Sequence, residues 1–296
     1  MSQAQSITRE PARALSSRAR METTVRPRGL GGARTALKTA ARAARVHAHE
    51  AALLLSVPAM APVRRLRGDY ESENTVSPLA EADTTSARPV LLVHGFGGTK
   101  SSWTLVTQAL SARGASVDVM TYAPLGNSVE QLAEKLIVQV EKTLSRTGAK
   151  KVHLVGHSLG GVIIAQAALD RRLNGRVDTV ITLGSPFGGS PWAGALPAIE
   201  IVRALRAGSP LLRRLASTPL PDGVRWLSVA ADLDVIVPGL RSVPFHPQVE
   251  TITVDGVGHL GMLLSRRVIG CITAALCADG TATNAEPAPQ LLRSAA

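Results

Sequence analysis

At 296 residues and 45% hydrophobic side chains, the chain can bury the core of one ordinary domain and still carry an appendage. Its net charge of +11 is localised: residues 1–68 hold 13 Lys/Arg against 3 Asp/Glu, so the other 228 residues are close to neutral and the basicity belongs to the N-terminal segment. Aromatic content is only 3%, no apolar run reaches the roughly 20 residues of a membrane span, and no Cys/His cluster has metal-ligand spacing.

Residues 1–30 are rich in Ser, Arg and Ala without apolar periodicity and read as disordered. Residues 33–57 are Ala-rich with scattered Arg and predict a helix broken by Pro58. Such a helix would lie on an anionic membrane surface, giving peripheral membrane contact through residues 33–68, or would pack Leu53, Leu54 and Leu55 on the main domain. The run from Ala51 to Val63 contains Ala59-Met60-Ala61, so a secretory leader with a very long basic start is a further reading. The compartment therefore stays open between cytoplasmic or membrane-peripheral and secreted. Nucleic-acid binding by residues 1–68 would rest on charge alone, since no aromatic interleaving or reading motif accompanies it, and none is expected. Residues 69–87 change sign, with Asp69, Glu71, Glu73, Glu81 and Asp83, and read as an acidic linker.

From residue 88 the pattern changes. Pro89–Val93 is a short, wholly apolar run of the kind that forms a buried parallel strand. A helix over Ser102–Ser111 follows, then a strand over Ala115–Thr121. Ser128–Arg146 is a long amphipathic helix with Leu132, Leu136, Ile137, Val140 and Leu144 on one face, capped by Asn127 or Ser128. Further strands are predicted up to Gly156, over Val177–Leu183, Val224–Ala230 and Val249–Val254, and a closing helix over Met262–Leu276. Strands alternating with helices imply an α/β protein with a doubly wound, mostly parallel sheet, whose ligands bind at the carboxyl ends of strands. Cys271 and Cys277 would stand about 9 Å apart on one helix at about 1.5 Å rise per residue, too far for a bridge. Two reduced thiols are expected, a disulfide across a helix end being the alternative. Residues 280–296 read as a flexible tail.

The chain centres on Val152-His153-Leu154-Val155-Gly156-His157-Ser158-Leu159-Gly160-Gly161-Val162. An apolar run, G-x-S-x-G and a helical pattern together describe strand, sharp turn and helix, with Ser158 exposed at the strand end. An activated serine needs a base and an acid to orient it. His259, in Gly256-Val257-Gly258-His259 directly after the last strand, is the base expected. Asp234, in Asp234-Val235-Ile236-Val237-Pro238, is the acid expected, with Asp232 a turn or cap residue, or the acid if the register differs by two. Ser158, Asp234, His259 is the chain order such a nucleophile requires. The oxyanion hole is assigned to the backbone N–H groups of Leu159 and, from the loop His94-Gly95-Phe96-Gly97-Gly98, of Phe96, with His94 bracing that loop.

The segments Arg88–Trp103, Gly156–Gly161, Thr182–Ser190, Asp234–Pro238 and Gly256–Leu263 together resemble bacterial triacylglycerol lipases and esterases of the α/β-hydrolase fold. Gly256–His259 is similar to the histidine motif of the small bacterial lipases. The chain also resembles actinobacterial lipase-like proteins with an N-terminal helical extension. The resemblance covers residues 88–278. It implies hydrolysis of a lipid or small ester through an acyl-enzyme, without a cofactor; the family's calcium site does not carry over, because no matching acidic pair is present, and no metal is expected. Residues 88–279 are thus the expected hydrolase domain.

Within it, residues 188–222 are longer than in the smallest lipases. Leu196, Ile199, Ile201, Val202, Leu205, Leu211, Leu212 and Leu215 are interspersed with arginines, a pattern that suits either a lid over Ser158 or two helices packed on the sheet. Phe187 and Trp192 are expected to line the acyl site or its mouth, with core packing as the alternative, and Trp103 to pack its helix on the core. A short-chain carboxylesterase, and a thioesterase or acyltransferase using the same three residues, are the alternatives to a lipase. Oligomeric state is not legible.

Overall fold

The computed structural model describes residues 39–48, 50, 88–195 and 199–277. The chain divides into two compact units, residues 1–40 and 41–296. Of the first, residues 39 and 40 fall among the described residues, both helical. In the second, helix α1 (residues 41–48), with helical Glu50 just beyond it, precedes the sheet. The expected disordered start, most of the basic extension, the acidic linker and the C-terminal tail lie outside the described residues.

Among the described residues, six strands form one sheet in the order β2-β1-β3-β4-β5-β6: β1 (Val90–Val93), β2 (Val117–Met120), β3 (Val152–His157), β4 (Val177–Leu183), β5 (Arg225–Ala231) and β6 (Glu250–Val254). Every pairing is parallel. The chain runs from β1 outward to β2, then returns to place β3 on the other side of β1. That reversal opens a crevice between the carboxyl ends of β1 and β3, the place where sheets of this kind bind ligands.

Alternation along the strands divides the core into two layers. Leu91, Val93, Leu154 and Val180 pack with helices α3 (Val129–Thr147) and α4 (Leu159–Ala167) on one face. Val90, Leu92, Val155 and Ile181 pack on the other with α2 (Thr104–Ser111) and α8 (Arg266–Leu276). Parallel strands covered on both faces lose the polar alternation of a one-sided sheet, which is why they read as continuous apolar runs. Ser128 begins α3 through a reciprocal cap, its hydroxyl accepting from Gln131 N at 3.2 Å while Gln131 Oε1 accepts from Ser128 N at 2.8 Å. Of the two candidate caps, Ser128 is the one used.

Two elements differ from expectation. The closing helix is interrupted: a 3₁₀ helix over Leu260–Leu264 gives way at Ser265, which is extended and starts α8 anew as its cap. The helix expected from Ser102 begins instead with a 3₁₀ turn over Lys100–Trp103, with Trp103 fully buried. The described part of residues 188–222 holds three short helices, α5 (Trp192–Ala195), α6 (Glu200–Ala204) and α7 (Pro210–Ser217). Ile201, Val202, Leu205, Leu211, Leu212 and Leu215 are buried in the same core layer as α3 and α4, and that burial is how the segment satisfies its apolar pattern. Leu196 lies outside the described residues. Cys271 and Cys277 are free thiols, and burial pushes the Cys271 thiol pKa up. No helix among the described residues is long and apolar enough to cross a membrane.

Candidate active site

Ser158 stands between β3 and α4 with φ 54° and ψ −122°, the one non-glycine residue with positive φ among the described residues. A side chain in that region costs about 1–3 kcal/mol and persists only where its surroundings enforce it. Here the enforcement is close packing of the turn: Ser158 N donates to Leu183 O at 2.8 Å, tying it to the end of β4. Gly160 has its Cα directed at the carbonyls of Val93 and His94, leaving no space for a Cβ. The helix can therefore start immediately after the strand, with its free N–H groups beside the serine.

The loop after β1 approaches from the other side of the crevice. A Cβ on Gly95 would come within 2.9 Å of Ser158 Cβ, so Phe96 follows a residue whose lack of a side chain lets the loop pack close to Ser158. Among the described residues, neither the Phe96 nor the Leu159 backbone N–H is bonded to another group. His94 is wholly buried, donates Nδ1–H to Gly95 O at 2.9 Å and stacks on Tyr122 with ring centroids 4.1 Å apart. The Tyr122 hydroxyl donates in turn to His94 O at 2.5 Å, and its burial raises its pKa far above the usual phenol value. His94 is thus the brace expected of it. Tyr122, its partner, carried no signal in the sequence because the contact joins two different strand ends.

The loops after β5 and β6 meet at a buried pair. Asp234 Oδ2 accepts from His259 Nδ1 at 2.8 Å, both residues being buried. Asp234 Oδ1 accepts from Ile236 N at 2.8 Å and Val237 N at 2.7 Å, so the local chain orients the carboxylate before the histidine reaches it. Asp232 does something else: its Oδ1 accepts from Gly256 N at 2.5 Å and Val257 N at 3.3 Å, closing the turn after β6. Of the two aspartates the sequence left open, Asp234 faces His259 and Asp232 holds the turn.

His157 links this pair to the turn that carries Ser158. Its Nε2–H donates to His259 O at 3.0 Å, and the two rings lie 4.8 Å apart. Burial first, and then the neighbouring His259, push its pKa down to about 3. Because the unfolded chain binds this proton near pH 6.5, the native state loses stability as pH falls from about 6.5 toward about 3. His157→Gln, which keeps a donor, is expected to flatten the pH dependence of the melting temperature across that window; an unchanged slope would assign the acid sensitivity to other groups.

Phe187 is buried in the core layer, edge-on to Trp226 at 6.4 Å, and lines an apolar groove with Leu212, Leu215 and Phe245 that includes none of Ser158, Asp234 and His259. Trp192 is half exposed and donates Nε1–H to Val235 O at 2.9 Å, on the loop that carries Asp234. Among the described residues, no group of three or more His, Cys, Asp or Glu could hold a metal ion.

Residues 90–227 match the model of the Alpha/beta hydrolase family. Among curated proteins, the chain is 34% identical over 134 residues to a triacylglycerol lipase of Vibrio cholerae, covering 42% of each chain. It is 36% identical over 123 residues to a triacylglycerol lipase of Pseudarthrobacter phenanthrenivorans, covering 38% of each. The matched stretch thus spans about two fifths of these relatives. Among solved structures, mature Bacillus licheniformis lipase BlEst2 superposes with a TM-score of 0.59 at 17% identity, covering 68% of this chain and 96% of that one. A six-stranded parallel sheet wound in this order among the described residues, with the family match running through its first four strands and into the fifth, gives the chain the α/β-hydrolase fold and a likeness to bacterial lipases.

Proposed function

We propose that the chain is a serine hydrolase of carboxylic esters, acting on apolar, lipid-like acyl groups. The observation that supports it most is the buried Asp234–His259 pair at 2.8 Å on the same sheet edge as the strained Ser158. In this reading Ser158 Oγ attacks the ester carbonyl while His259 Nε2 takes its proton. Asp234 holds Nδ1 protonated and stabilises the imidazolium. The Phe96 and Leu159 amides receive the charge that forms on the carbonyl oxygen, a contribution worth about 10²–10³ in rate per donor. His259 then protonates the departing alcohol, and water repeats the sequence on the acyl-enzyme to release the acid. No cofactor or metal has a part in these steps.

The preference for apolar acyl groups is supported by the connections that follow the strands. Phe96, Leu125, Trp192, Leu240 and Leu264 are all exposed, and they sit in the connections that follow β1, β2, β4, β5 and β6. Each of these connections thus leaves a large apolar side chain in contact with solvent, which suits an apolar ligand rather than water. The names of the curated relatives point the same way. Turnover of p-nitrophenyl esters from acetate to palmitate is expected to increase with acyl length, and emulsified triglyceride to be hydrolysed. Activity confined to the shortest soluble esters would overturn the lipid preference while keeping the esterase assignment. Transfer of the acyl group to added alcohol or thiol in place of water would favour the acyltransferase reading.

A further inference from the structure

Just beyond α1, Glu50 is a carboxylate only 1% exposed, and nothing in the proposed reaction uses it. Its Oε2 accepts from Leu260 N and its Oε1 from Gly261 N, both at 2.8 Å. Those two amides open the 3₁₀ helix Leu260–Leu264, whose preceding residue is His259 and which has no side-chain cap of its own. The first N–H groups of a helix have no partner within it, and a carboxylate satisfies them while meeting the positive end of the helix. A cap normally comes from the adjoining residues; this one comes from 210 residues earlier in the chain.

The surrounding chain is shaped to receive it. A Cβ on Gly258 would fall within 2.6 Å of Glu50 Cγ and Oε1, so the glycine before His259 is what lets the carboxylate reach the amides behind it. Arg42, on α1, donates from Nη2 to Asp255 O at 3.5 Å and lies against Gly256. Arg42 and Glu50 therefore bear on the chain on both sides of His259, at Asp255, Gly256 and Gly258 before it and Leu260 and Gly261 after it.

We infer that Glu50 is a positioning residue for His259, and that it and Arg42 make the start of the described chain a working part of the site. The inference rests on the hydrolase reading above. His259 is then fixed at three places. Asp234 holds Nδ1, His157 holds the carbonyl oxygen, and Glu50 holds the two amides that come next in the chain. The first two set the ring's tautomer and one side of its backbone. The third anchors the backbone on the other side, without which the ring can drift along the crevice while still paired to Asp234. Glu50 touches no reacting atom, so its effect falls on the alignment of proton transfer and leaves the ester-binding surface intact.

The test uses the full chain with Glu50→Ala and Glu50→Gln, assayed per active site titrated with a fluorophosphonate and below each variant's melting transition. Glu50→Ala is expected to lower kcat by about 10²-fold with little change in KM, the penalty of a small misplacement of a reacting group. Glu50→Gln keeps one acceptor and is expected to fall between alanine and wild type. Hydrogen exchange at Leu260 and Gly261 is expected to quicken in both variants, while exchange in β3 and β4 stays as in wild type. Wild-type kcat per titrated site in Glu50→Ala, or unchanged exchange at those two amides, overturns the inference. So does a loss of activity that disappears on normalising to titrated sites, since that is loss of folded protein alone. If the wild-type chain turns over no ester and takes up no fluorophosphonate, the hydrolase reading itself fails, an outcome distinct from an active wild type indifferent to Glu50.

Discussion

Replacing Ser158 by alanine is expected to lower ester turnover by at least about 10⁴-fold and to abolish labelling by a fluorophosphonate. The substitution removes the oxygen proposed to attack and leaves the Phe96 and Leu159 amides and the Asp234–His259 pair in place. What remains should be the modest acceleration that binding and electrostatics give to attack by water. The variant should also melt no lower than wild type, because alanine removes a partly exposed hydroxyl from a backbone held by Gly160 and Leu183. Turnover at the wild-type rate would dismiss Ser158 as the nucleophile.

Asp234→Asn is expected to cost about 10⁴-fold in kcat, and the geometry says why. Oδ1 of this side chain already accepts from Ile236 N and Val237 N. An asparagine must keep its carbonyl oxygen there, since its amino group cannot accept those protons. The amino group is then turned toward His259 Nδ1, which must accept instead of donate. The imidazole proton is forced to Nε2, and the atom that should receive the serine's proton is occupied. Asp232→Asn provides the contrast: its carboxylate serves the Gly256 and Val257 amides, so the amide oxygen can replace it with a loss of stability and little loss of rate. Equal effects of the two substitutions on kcat would contradict these separate roles.

The sheet was legible because parallel strands buried on both faces read as apolar runs between Gly and Pro. Val177–Leu183 agrees residue for residue, and the others differ by a residue or two at their ends. Helix α3 was legible because its buried side recurs at helical spacing behind a reciprocal cap. The interruption of the last helix was missed because apolar spacing continues through Leu263, Leu264 and Val268, while the break is made by Ser265 turning its hydroxyl to cap α8. The two aspartates after β5 could not be separated by pattern, because the difference lies in which amides each accepts. Glu50 and Tyr122 were not legible at all: one acts across 210 residues, the other across 28, and neither belongs to a periodic run that would flag it.

The positions of the strands have a consequence for how such a site fails. Ser158 follows β3, an inner strand with every residue buried and a neighbour on each side. His259 follows β6, which has one neighbour and buries only Val254 of its five residues. Edge segments open at a smaller free-energy cost than the interior and do so without global unfolding. Heat or denaturant should therefore unseat His259 while the turn that carries Ser158 is still native. Inactivation would precede melting, and cooling would restore function without refolding of the core. A stabilising campaign directed at the interior would raise the melting temperature yet leave the working range of the protein where it was.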